Sequence, residues 1–81
     1  MKVYVVTIGP VPANSQVEGV RASNQAALAL AATAMQEDGT TGWPDEGQLE
    51  FDEEKGQNAW KNGAGDKVVE ILSFDVPDAV I

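Results

Sequence analysis

Residues 23–39, SNQAALALAATAMQEDG, read as a single amphipathic helix, and the fold follows from where that helix falls in the chain. Ser23 is a good N-cap, because its hydroxyl can accept a hydrogen bond from an otherwise orphaned N–H of the first turn. Over residues 24–36, Ala27, Leu28, Leu30, Ala31, Ala34 and Met35 recur at helical spacing and supply one apolar face. The many alanines let such a helix lie close to a sheet. Gly39 ends it in the left-handed position that costs glycine nothing.

Outward from the helix, the flanking segments read as strands. Residues 2–8, KVYVVTI, are β-branched and aromatic, with Val3 and Val5 on one face and Tyr4, Val6 and Ile8 on the other. Two apolar faces predict a central strand. Residues 9–15 read as a loop, since Pro10 and Pro12 cannot donate to a ladder. Residues 16–22 return as a second strand. Beyond the helix, residues 40–47 form a loop containing Trp43-Pro44. Residues 48–52 alternate, with Leu49 and Phe51 inward, and predict a further strand. Residues 53–56 are a turn. Residues 57–61 have weak strand character, with a helical turn as the alternative. Asn62-Gly63 signals a hairpin. Residues 67–76 form the clearest strand after the first, its even positions carrying Val68, Leu72, Phe74 and Val76. Pro77 stops it and leaves 77–81 as a tail free to fray. The expected fold is α+β: one helix on a four- to five-stranded, mainly antiparallel sheet in β-β-α-β-β-β order, as a single domain over 1–81.

Composition narrows the chemistry. The chain of 81 residues holds no histidine and no cysteine, which excludes hydrolase triads, the usual zinc sites, iron–sulfur ligation and disulfides. Its longest apolar run, residues 26–32, is too short to span a bilayer, and the start lacks the pattern of a signal peptide. A cytoplasmic, soluble protein without a cofactor is the expectation. Catalysis is not expected either, because exposed carboxylates among like charges have no deep pocket to tune them. Asp45, Glu46, Glu50, Asp52, Glu53 and Glu54 are dense enough to attract calcium or magnesium. They do not follow the EF-hand spacing, so no metal site is assigned and a solvated acidic face is the plainer reading. Residues 63–67, GAGDK, lack the glycine spacing and following helix of a phosphate loop and read as a hairpin loop. Trp43 and Trp60 read first as covers for a small core, and second as interface anchors.

The net charge of −8 is lopsided: residues 1–36 sum to +1 and residues 37–81 to −9. Residues 37–54 alone hold eight carboxylates, Glu37, Asp38, Asp45, Glu46, Glu50, Asp52, Glu53 and Glu54, with no lysine or arginine between them. Such a surface repels nucleic acid and anionic membranes and attracts basic proteins, often those that bind nucleic acid. On an extended 48–54 segment, Glu50, Asp52 and Glu54 would project from one face at ~6.7 Å spacing. A row of that kind can occupy arginine and lysine sites that normally hold phosphates.

The start MKVYVVTI, followed by VEGVRASNQAA at 17–27, resembles a layout common in small phage and mobile-element proteins: a hairpin, an Ala-Ser helix entry, an alanine-rich helix and a return to the sheet. Anti-CRISPR proteins that inhibit type I interference complexes are similar in size and in this β-β-α-β order. The resemblance covers residues 1–36 and the strand at 67–76. It implies an inhibitor that binds the DNA-reading surface of its target, in some members as a DNA mimic. The expected function is therefore an acidic binding protein that docks on a basic nucleic-acid-binding partner through the eight carboxylates, with Trp43 as an apolar anchor. The alternative is a small assembly protein, such as a virion or complex subunit, acting by self-association. The sequence leaves the oligomeric state open.

Overall fold

The computed structural model describes residues 1–10 and 16–77. Strand β1 (Lys2–Pro10) and strand β2 (Gln16–Arg21) precede helix α1 (Asn24–Asp38), and β3 (Gln57–Lys61) and β4 (Lys67–Asp75) follow it. They form a four-stranded sheet in the order β2-β1-β4-β3, and every neighbouring pair is antiparallel. The fold class is the expected α+β, with β1 central as its two apolar faces predict. The strand at 57–61 forms, and the helical alternative does not. Gly9 and Pro10, read as the start of a loop, instead end β1, opposite Val68 and Lys67, since a proline is tolerated at the end of a strand. The rest of that loop, 11–15, and residues 78–81 of the tail lie outside the described residues.

The sheet has one covered face. Tyr4 and Val6 of β1 and Val69 and Ile71 of β4 point toward α1, and Val6, Val69 and Ile71 are fully buried. The core face of β4 is thus its odd one, and the apolar even positions lie on the other side of the sheet. The helix begins as predicted, with Ser23 Oγ accepting from the Ala26 N–H at 3.2 Å. It runs two residues past the expected end, to Asp38, before Gly39 turns left-handed at φ 77°. Ala27 and Ala31 are fully buried in its inner face. Small side chains let the helix settle so near β2 that a Cβ on Gly19 would stand 2.8 Å from Leu30 Cδ2. Opposite β1, the β2 register shifts at Glu18, between the Val6–Gly19 and Thr7–Val17 pairs.

Helix α1 packs on β1, β2 and β4, and its backbone stays away from β3. Residues 40–56 fill the gap. This segment starts at the C-terminal end of α1, crosses the β3–β4 side of the covered face and ends beside the N-terminal end of the helix. Leu49 is buried there, and Phe51 meets Tyr4 edge-on with ring centroids 5.3 Å apart. Trp43 and Trp60 pack partly buried against the same core.

The strand expected at 48–52 is absent. Glu46–Gln48 is a short 3-10 turn, closed by Gln48 N–H to Asp45 O at 2.9 Å, and residues 49–52 take no regular class. Leu49 and Phe51 do face inward, so the alternation was informative, but the segment passes over the sheet instead of joining an edge. Asn58 of β3 holds it there: Nδ2 donates to Glu50 O at 3.0 Å, and Oδ1 accepts the Asp52 N–H at 3.3 Å. Side-chain bonds from one strand residue thus take the place of a ladder.

The other end of the segment is fixed by Asn62, which is only 6% exposed. Its Oδ1 accepts the N–H groups of Asp66 and Lys67 at 3.1 and 3.2 Å. Its Nδ2 donates to Asp66 Oδ1 at 2.7 Å and to Thr40 Oγ1 at 3.1 Å. One buried amide therefore shapes the β3–β4 hairpin loop and ties residue 40 to it. Gly42 (φ 86°) lies back to back with Gly63, where a Cβ on Gly42 would fall 2.3 Å from the Gly63 Cα.

Candidate protein-binding surface

The helix and residues 40–56 together make one layer on the covered face, and the eight carboxylates singled out in the sequence all belong to it. They divide into two groups. Three are committed to the fold. Glu53 accepts the Tyr4 hydroxyl at 2.7 Å and Asn24 Nδ2 at 2.8 Å through Oε1, and meets Lys2 Nζ at 3.3 Å through Oε2. The Tyr4 hydrogen bond chiefly, then Asn24 and Lys2, hold the Glu53 carboxyl below its ordinary range. The same bond raises the Tyr4 phenol. Asp38 is hydrogen-bonded by the Thr40 hydroxyl and pairs with Lys67 Nζ at 3.3 Å, and the Thr40 bond is the main cause of its lowered pKa. Asp52 caps its own turn, accepting the N–H groups of Glu54 and Lys55 at 3.0 and 3.3 Å.

The other five, Glu37, Asp45, Glu46, Glu50 and Glu54, are exposed and make no side-chain hydrogen bond or ion pair among the described residues. The regular row of Glu50, Asp52 and Glu54 does not form, because the strand that would space it is missing and Asp52 is turned to its own backbone.

Trp43 is half-buried in the wall of a groove of about 520 Å³ between the C-terminal half of α1 and residues 39–46. Ala32, Met35, Trp43 and Pro44 line it, together with Asp45 and Glu46. The Trp43 Nε1 is buried with no acceptor among the described residues. This groove has the chemistry to take a long cationic side chain: apolar walls and an aromatic ring for the methylene stem, and carboxylates for the head.

Sequence reasoning missed Glu18. It sits at the bulge of β2 and lines a second groove of about 320 Å³ with Ile8, Gln16, Glu37, Asp38 and Lys67. No sequence signal marks it, since its placement depends on the register shift between two strands.

Among the described residues, no group of three or more acidic side chains is arranged to hold a metal ion, and no helix is long and apolar enough to cross a membrane. Compared with protein-family models, characterised proteins and solved structures, the chain matches none.

Proposed function

We propose that this chain is a non-catalytic binding protein whose acidic layer docks on the cationic, nucleic-acid-binding surface of a partner protein and so blocks it. The observation that carries this reading is the set of five exposed carboxylates without internal partners on the helix side, beside the groove of Trp43. Carboxylates already tied to lysine, tyrosine or backbone contribute to folding; carboxylates left free are available to arginine and lysine of another molecule. Rim charges of this kind mainly raise the association rate and make binding salt-dependent, while the groove would supply the specific contact. The irregular spacing of the carboxylates favours recognition of scattered cations over imitation of a regular phosphate row. Inhibition of a type I interference complex is the most specific form of the proposal, and it rests on the β-β-α-β layout described above.

The reading is tested by isothermal titration of the chain with an arginine-rich peptide at low and high salt, beside the triple variant Asp45→Lys/Glu46→Lys/Glu50→Lys. Saturable, salt-sensitive binding that the variant loses supports it. Binding that is insensitive to salt, or that the variant retains, refutes the mechanism. Mobility-shift assays of DNA binding by type I interference complexes then test the specific form. A second reading, a small assembly protein acting by self-association, is favoured by a different observation, the apolar face of the sheet that no described residue covers as a layer.

A further inference from the structure

Among the described residues no segment is layered over the far side of the sheet, where Thr7 is the one buried side chain, at 9% exposure. Strand pairing places Val3, Val5 and Thr7 of β1 beside Val68, Glu70, Leu72 and Phe74 of β4, with Val17 and Val20 of β2 on one flank and Gln57, Ala59 and Lys61 of β3 on the other. Seven of these twelve side chains are valine, leucine or phenylalanine. Val17 is 63% exposed, and Val20 and Phe74 are each 50% exposed. A contiguous apolar face on a small domain marks an interaction surface.

We infer that this face is the interface of a homodimer in which two sheets stack face to face. Size and charge both point to a second copy. β1 and β4 pair over nine residues. β2 adds six residues and β3 five, so at ~3.3 Å per residue and ~4.8 Å per strand the face covers ~460 Å² per copy. Two such faces cover ~920 Å² together, close to the ~1,000 Å² that a specific interface needs.

The charge is partitioned to match. The strand positions of the face carry one acid, Glu70, and one base, Lys61, and Lys55 lines a groove with Glu70, Gln57 and Ala59, so the face has no excess of negative charge within a chain of net charge −8. Neither Glu70 nor Lys61 has an ion-pair partner among the described residues, and a two-fold axis brings each copy's Lys61 to a surface that also holds Glu70. Stacked sheets lie ~10 Å apart and each acidic layer sits ~10 Å further out, so the two layers stand ~30 Å apart, several times the ~8 Å Debye length at physiological salt. A second copy is therefore an occupant that covers the apolar face without bringing like charge against it. The inference does not depend on what the acidic layer binds; if both hold, the dimer is a bivalent particle with acidic surfaces at opposite ends.

The test is sedimentation velocity of the full chain from micromolar to near-millimolar concentration, at low and high salt, with circular dichroism as a check on folding. The expected result is a species of twice the chain mass, at least as abundant at high salt. Val20→Lys and Phe74→Lys, both at exposed positions, are expected to remain folded and sediment as monomers, while Glu50→Lys stays dimeric. A wild-type chain that is monomeric throughout overturns the inference. So does a dimer that survives in folded Val20→Lys or Phe74→Lys, which would mean the copies pair through strand edges.

Discussion

The two faces of this sheet are built from the same strands and do opposite things. One carries Tyr4, Val6, Val69 and Ile71 under a helix and an irregular acidic segment. The other carries Val3, Val5, Leu72 and Phe74, as apolar by composition, with no layer over it among the described residues. In β4 the two sets alternate along one strand. Apolar character alone therefore does not identify the core here. The identity of the core is decided by which face receives the helix, and the helix goes where alanine and Gly19 let it approach.

That contrast can be broken most forcefully at neighbouring positions of β4. Ile71→Ala is expected to destabilise the chain by about 3 kcal/mol, through lost burial and the cavity left behind. Chemical denaturation measures this, and a cost near zero would mean that the helix does not seal this face. Gly19→Val should cost about 1–3 kcal/mol, since its side chain would be driven into Leu30. Phe74→Ser, on the open face, should cost the isolated chain no more than about 1 kcal/mol, because half of the ring is already in water. If Phe74→Ser matches Ile71→Ala in dilute solution, the two faces are not different in kind.

Smaller effects sharpen the division within the acidic layer. Folding lowers the pKa of Glu53 from its ordinary value of 4.5. Its contacts therefore stabilise the fold above that value, and the contribution is lost as pH falls through the lowered one. Tyr4→Phe removes the main cause of the shift. The gap in melting temperature between wild type and Tyr4→Phe should accordingly be widest near neutral pH and narrow in acid, as thermal melts across pH would show. Glu50→Lys, in contrast, touches no internal partner and should change stability by no more than about 0.5 kcal/mol.

The sequence made the helix, its caps, the central strand and the closing strand legible, because each has a local signal: Ser23, the alanine periodicity, Gly39, the β-branched runs. It also located the acidic layer, since residues 37–54 are contiguous. Three things were not legible. The segment 48–52 alternates like a strand because Leu49 and Phe51 must reach the core. Alternation reports burial on one side and says nothing of whether the segment joins an edge; here Leu49, Phe51 and the Asn58 bonds hold it across the covered face, and β4 is the one strand that β3 pairs with among the described residues. The core face of β4 was ambiguous because both of its faces are apolar. The split of the carboxylates into committed and free groups depends on partners distant in the chain, Tyr4 and Asn24 for Glu53 and Lys67 for Asp38. No reading of residues 37–54 alone separates Glu53 from Glu54.

The central claim is that the sheet divides the molecule into an acidic binding layer and a self-associating face with no excess of negative charge. Amide chemical-shift mapping during titration with an arginine-rich peptide tests it most directly. The account predicts shifts at Glu37 and across residues 42–54, with Val17, Val20, Leu72 and Phe74 unmoved. Shifts centred on those four residues, or spread evenly over the molecule, would contradict it.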